Sequence, residues 1–328
     1  RSHRDAALLH VGRRLDDDVA GRNGHLLRAV RRGARLPPSA GRRLRDYRSL
    51  AACGWLLVRP SDPLLPSRDL GIINALAADM STAPVIATEG VGKRFGGFRA
   101  LNNVTVAFYP GRLTSIIGPN GAGKSTFFNV LSGAFPPSEG KVLFEGRDIT
   151  GTPQHVFPHL GIAKSFQITN LFPQLTALEN VRLAAQALKS RFDIWTKRET
   201  LTELKEKAEE LLDRVGLSKR RNDLAANLAH GEQRSLEIAV ALASDPKVLL
   251  LDEPTAGMSP EEARAMMDLI LKLNEQCTVI LVEHRMKLVM GISDRIIVLH
   301  HGQLLAEGTP DEIRNHDEVR RVYLGQSV

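Results

Sequence analysis

Residues 118–126, Gly-Pro-Asn-Gly-Ala-Gly-Lys-Ser-Thr, constrain this chain more than any other stretch. Two glycines bracket four residues, and a Lys and a Ser follow, which is the pattern of a phosphate-binding loop. Thr114 to Ile117 ahead of it read as a short buried strand, and Phe127 to Leu131 behind it continue at helical spacing. Glycines in such a turn let successive backbone N–H groups point toward one centre. They do so at a helix start, where the dipole favours an anion. Lys124 then reaches the outer phosphates of a nucleotide, and the Ser125 hydroxyl joins the shell of a Mg²⁺ ion. Gly118, Pro119, Asn120, Gly121, Ala122, Gly123, Lys124, Ser125 and Thr126 are therefore the first candidate nucleotide contacts.

A nucleotide fold of this kind needs a sizeable core, and 328 residues with 43% hydrophobic and 25% charged side chains supply one. No apolar run is long enough to cross a bilayer, so a membrane role would pass through a partner. Cys53 and Cys277 match no metal spacing and read as ordinary reduced thiols. The net charge of +7 is unevenly placed. Residues 1–79 hold 15 Arg and 8 Asp with no Lys or Glu, whereas 80–328 balance 29 basic against 29 acidic residues. The part that carries the phosphate loop thus has no net basic charge to attract nucleic acid.

Arginine without lysine, and aspartate without glutamate, is the bias expected of translated GC-rich DNA. Met80 is therefore expected to be the natural start, with residues 1–79 a disordered or non-native extension. Other readings are a basic arm and the fused tail of an upstream membrane subunit. From Met80 the pattern changes. Val85 to Thr88, Asn103 to Phe108 and Lys141 to Phe144 are expected strands of an antiparallel layer. Residues 168–228 read as a mainly helical subdomain, with apolar residues at helical spacing over 175–188 and 201–215. Val248 to Leu251 and Thr278 to Val282 are all-apolar runs apart from Thr278, as central parallel strands buried on both faces require. Ile296 to Leu299 are a third. The first run ends in Asp252-Glu253 and the second in Glu283-His284. Ligands of open α/β sheets collect at the carboxyl ends of the strands, so both carboxylates, Asp252 and Glu253, and the histidine, His284, are expected at the nucleotide. Asp252 suits the metal, and Glu253 suits polarisation of the attacking water.

Six elements in this order resemble the ATP-binding cassette (ABC) ATPases, over nearly all of 82–328. Phe95 matches the aromatic that stacks on adenine, and Gly118 to Thr126 the first Walker motif. Gln167 matches the glutamine that senses the γ-phosphate and Mg²⁺. Leu228-Ala229-His230-Gly231-Glu232-Gln233-Arg234 is similar to the signature motif, Asp252-Glu253 to the second Walker motif with its catalytic glutamate, and His284 to the switch histidine. The resemblance implies a P-loop NTPase of the α/β class, with a mostly parallel core sheet, an antiparallel β subdomain and a helical subdomain. It makes Glu253, His284 and Gln167 the catalytic candidates and Ser125, Gln167 and Asp252 the metal candidates. Ala229, His230, Gly231 and Glu232 would face the nucleotide of a second cassette, at the start of a helix expected over Glu232 to Ala243. Ala229 stands where the family commonly has serine, which removes one hydroxyl donor, and Ser259 stands where the family often has Asp.

Finer stretches are similar to the branched-chain amino-acid importers: the signature Leu228 to Arg234 followed by Leu236 to Ala239, Ala256 to Pro260, Glu283 to Lys287, Gly291 to Arg295 and the ending from Glu307 to Gly325. Lipopolysaccharide-export ATPases and urea or amide importers share much of this. The implied protein is an ATP-hydrolysing, Mg²⁺-dependent subunit at the cytoplasmic face of a bacterial inner membrane. Its implied partners are a second cassette, transmembrane permease subunits contacted through Ile168 to Asn180, and indirectly a periplasmic solute-binding protein, with no nucleic acid. A soluble ABC protein acting on ribosomes or DNA is the rival reading, disfavoured by a single cassette without long insertions.

Overall fold

The structure, a computed structural model, describes residues 83–165, 171–189 and 198–323. Two sheets organise them. The first is four-stranded and antiparallel, in the order β2 (Phe98–Phe108), β1 (Ile86–Phe95), β4 (Glu139–Phe144), β5 (Arg147–Asp148). Its long strands run further than the sequence pattern implied. Register shifts between Thr88 and Arg94, and a left-handed Asn103 (φ 53°), break the two-residue alternation that marks a strand.

The second sheet has six strands: β10 (Gln303–Gly308), β9 (Arg295–His300), β3 (Thr114–Ile117), β8 (Thr278–Val282), β7 (Val248–Asp252) and β6 (Ile162–Lys164). All neighbours are parallel except β10, which pairs antiparallel with β9. The expected apolar runs are its centre, and each face has its own core. Leu249, Leu251, Val279 and Leu281 pack with the helical side. Val248, Leu250, Ile280 and Val282 pack with Phe127, Phe128 and the antiparallel sheet. This two-sided burial is why these strands read as continuous rather than alternating apolar runs.

Helix α1 (Lys124–Leu131) follows the phosphate loop, and a short helix α2 (Phe157–Leu160) precedes β6. The helical region holds α3 (Ala177–Lys189) and α4 (Arg198–Arg214). Its neck is stitched by backbone bonds from Ala177 N–H to Asp223 O (3.0 Å), Leu178 N–H to Arg221 O (3.0 Å) and Ala225 N–H to Leu175 O (2.9 Å). Then come α5 (His230–Leu242), α6 (Pro260–Asn274), α7 (Met286–Ile292), α8 (Pro310–Arg314) and α9 (Asp317–Val322). Among the described residues no helix is long and apolar enough to cross a membrane.

Candidate active site

Two close approaches shape the phosphate loop. A Cβ on Gly118 would lie 2.2 Å from the Leu299 carbonyl oxygen, and one on Gly123 (φ 96°) 2.8 Å from that of Ala100. Any side chain at either position collides with backbone, so the loop fits only because both are glycine. Gly302, at the β9–β10 turn, donates its N–H to Ala122 O at 3.0 Å and backs the loop from outside. Asn120, Gly121 and Ser125 are exposed and Pro119 and Thr126 half-buried, whereas Lys124 is buried. The Lys124 ammonium donates to Gly118 O (2.7 Å) and Pro119 O (3.0 Å). Burial holds its pKa below the usual lysine range, against the opposing pull of Glu253 and Asp252.

Those acids arrive at the end of β7, which β8 separates from β3 and its loop in the sheet. Asp252 is 5% exposed, and burial, helped by the Glu253 charge, raises its pKa. Lys164, His284 and Lys124 oppose that rise, Lys164 most strongly. Lys164 comes from the end of β6, the strand next to β7, and donates to Asn129 Oδ1 at 2.5 Å; burial lowers its pKa, against the pull of Asp252. The sequence reading gave Lys164 no role. Its signal was a lone cation at the end of a short apolar strand, legible only once β6 is known to lie against β7.

Glu253 adopts φ 47°, a left-handed conformation that costs a non-glycine residue about 1–3 kcal/mol. Its N–H donates to Val282 O at 2.9 Å, so the neighbouring strand holds the turn. The turn carries the side chain to Oε1···Nε2 2.6 Å from His284. Two groups 31 positions apart are thereby paired at the carboxyl ends of adjacent parallel strands. Glu283 behaves otherwise. It is 2% exposed and turned inward onto Thr255 and the backbone of His284 and Arg285.

Phe95 lies at the end of β1, 44% exposed, with its ring edge-to-face on Phe135 at 5.6 Å and the Lys93 ammonium 5.2 Å from its centre. An open aromatic face of this kind suits a stacked base. The signature helix starts at His230, two residues earlier than its expected Glu232 start, with Ala229 as N-cap. Ala229 offers no side-chain acceptor. Instead Glu232 reaches back to accept the Ala229 N–H (2.9 Å) and pairs with Arg220 (3.1 Å), so this acid secures the helix start. His230 packs on Gly257, where a Cβ would come within 3.3 Å of its ring. Gly231 follows in the first turn of the helix. Gln167 lies outside the described residues.

A glycine-cradled lysine, paired acids and a histidine, gathered at the carboxyl edge of a parallel sheet, define a P-loop NTPase. The ABC transporter family model matches residues 101–256, and that of the branched-chain amino acid ATP-binding cassette transporters matches 303–328. The high-affinity branched-chain amino acid transport ATP-binding protein LivG of Escherichia coli K12 is 42% identical over 252 residues, 74% of this chain and 99% of LivG. A solved ATP-binding cassette of an ABC transporter, in its ADP conformation, is 32% identical with a TM-score of 0.66. The match covers 74% of this chain and all of that one. A dimeric bacterial ABC transporter cassette is 31% identical with a TM-score of 0.60, covering 69% of this chain and 98% of that one. The chain belongs to the ATP-binding cassette subunits of ABC transporters, in the branched-chain amino acid group.

Proposed function

We propose that this ABC-type ATPase energises uptake of branched-chain amino acids or closely related small solutes through partner permease subunits. The observation that carries the catalytic reading is the Glu253–His284 pair at 2.6 Å beside the phosphate-loop lysine. Phe95 stacks on the adenine, and residues 118–126 cradle the phosphates with Lys124 at their outer end. The Ser125 hydroxyl and the Asp252 carboxylate are the hard oxygen donors that Mg²⁺ takes, and they flank a loop too tight for side chains, so the residues present fit a Mg·nucleotide. When bound, the ion neutralises charge on the phosphate oxygens. Glu253 orients and polarises the attacking water, and His284 holds that carboxylate in place while reaching toward the γ-phosphate. Gln167 belongs to the same site by resemblance alone.

A second cassette completes the reaction centre, presenting Ala229, His230, Gly231 and Glu232 to the nucleotide through the N–H groups of its signature helix. The solved cassette dimer supports such pairing. The segment Ile168 to Asn180, of which 168–170 lie outside the described residues, makes the contact with the permease. Buried Asn180 fastens it, accepting from Phe172 N–H (2.8 Å) and donating to Phe172 O (3.1 Å) and Thr176 O (2.9 Å), while Phe172 itself stands 58% exposed. The protein would thus sit peripherally on the cytoplasmic face of the membrane, served by a periplasmic solute-binding protein.

Cells lacking the gene and complemented with wild type or Glu253→Gln test the proposal through uptake of radiolabelled leucine. Wild type restores uptake and the variant does not, although the purified variant still binds ATP and its turnover falls about 100-fold or more. Leucine uptake that never depended on the gene would redirect the solute assignment toward urea, amides or lipopolysaccharide export. Normal turnover by Glu253→Gln would remove the assignment of the base.

A further inference from the structure

We propose that Glu283 is a positioning residue for ATP hydrolysis, a buried carboxylate that locks the His284 backbone to the turn after β7 and so keeps the imidazole on Glu253. The inference rests on the catalytic reading of Glu253 and His284 given above. Glu283 is the first residue past β8 and is 2% exposed, so it does not meet the nucleotide. Its Oε1 accepts the Thr255 N–H (3.1 Å) and the Thr255 hydroxyl. Its Oε2 accepts the His284 N–H (2.9 Å) and the Arg285 N–H (3.3 Å). Four donors thereby meet the lone pairs of one carboxylate, two from each of two loops. Thr255, fully buried, belongs to the turn that Glu253 opens, where Ala256 N–H returns to Glu253 O at 3.1 Å. Arg285 extends the same connection by donating to Met258 O at 2.8 Å, next to Ser259. The catalytic pair is therefore held at both ends: Glu253 through its strand neighbour Val282, and His284 through Glu283.

Only an ionised carboxylate satisfies this arrangement. An amide of the same shape accepts on one side and presents its own N–H₂ to two donors on the other, freeing either Thr255 or the His284–Arg285 backbone. Freed by a fraction of an ångström, the imidazole no longer fixes the Glu253 carboxylate at the attacking water. Substrate binding is spared, because Lys124 is held by Gly118 O and Pro119 O and Phe95 packs on Phe135, none of them through Glu283.

The test compares full-length wild type, Glu283→Gln, His284→Ala, the double variant and Glu253→Gln. It measures kcat and KM for ATP, affinity for a fluorescent ATP analogue, and single-turnover rates with enzyme in excess so that slow variants stay measurable. Glu283→Gln lowers kcat about 10- to 100-fold, as small misplacements of a catalytic group do, with analogue affinity close to wild type. The double variant is no slower than His284→Ala to within about twofold, since both changes remove the same placement. Should Glu283→Gln fail to fold, Thr255→Val deletes a single donor and answers the same question through the same cycle with His284→Ala. Effects that multiply in the double variant, unchanged kcat, or equal losses of kcat and nucleotide affinity would each overturn the proposal. Wild-type turnover by Glu253→Gln would instead refute the underlying catalytic reading.

Discussion

The Cys277 thiol sits behind Leu273, whose carbonyl oxygen accepts its S–H at 3.5 Å, and burial pushes its pKa up to about 11. The thiolate is the reactive form, so alkylation near pH 8 at this position should run about 100-fold below that of an exposed cysteine peptide. Mass spectrometry of the Cys277 peptide against time reads this directly, and labelling at the exposed rate would show that the thiol is not enclosed. The sign of the linked stability effect follows from the raised pKa. The contribution is fully present below the ordinary thiol pKa and is lost as pH climbs toward about 11, since only the unfolded thiol ionises in that window. The same physics governs the charges of the active site with a different result. Lys124, Lys164 and Asp252 are each pushed toward neutrality by burial, yet each is held back by an opposite charge. A single isolated buried carboxylate at Asp252 would give up its charge and with it the ability to bind a cation; two lysines from two different elements oppose that loss.

The sheet elements assign each residue of the central strands to a face. Leu250 is fully buried against the phosphate-loop side, whereas Leu271, on α6, keeps 39% of its surface in water. Leu250→Ala should cost about 2–5 kcal/mol in urea unfolding, through lost transfer energy and the cavity left behind. Leu271→Ala should stay within about 0.5 kcal/mol of wild type. Equal losses at the two sites would contradict this division of the core. Such burial was legible in the sequence for Val248 to Leu251 and Thr278 to Val282, because a strand covered on both faces reads as a near-continuous apolar run. The phosphate loop, Asp252-Glu253 and His284 were legible for a related reason: each follows a strand, and its chemistry is carried by residue type and spacing. Lys164 and Glu283 were not. Their roles depend on which strands are neighbours, and the order β3-β8-β7-β6 departs from chain order. Pattern within a strand cannot report that order. Nor could it foresee that Glu283 would turn inward, since the donors that attract it, on Thr255 and on the His284–Arg285 backbone, are assembled only when β7 and β8 pair. The early start of α5 was missed because Ala229 lacks the usual capping side chain, and Glu232 supplies half of the box from within the helix.

For the whole molecule the question is what completes the site. One chain carries one phosphate loop, one signature and one Glu253–His284 pair, and the cassette fold it shares is known in a dimeric form. Within the chain, His230 of the signature lies against Gly257, and Ser259, two residues on, caps α6: its Oγ accepts the Glu262 N–H at 3.3 Å and Glu262 accepts the Ser259 N–H at 2.9 Å. The signature thus lies beside the turn that runs on from Glu253, so a nucleotide phosphate gripped by the signature of a second chain would draw the Glu253 turn of that second chain toward the shared interface. On this arrangement, binding of ATP favours pairing and hydrolysis releases it. Glu253→Gln, expected to bind ATP but turn it over slowly, should therefore sediment as a dimer in Mg·ATP and as a monomer without nucleotide. Wild type should pass through the dimer and return as its ATP is consumed. Adding Lys124→Ala to Glu253→Gln should abolish the shift by weakening nucleotide binding, which separates ATP-driven pairing from simple self-association. If the Glu253→Gln chain stays monomeric in saturating Mg·ATP, this chain does not pair with itself, and the site must be completed by a different cassette.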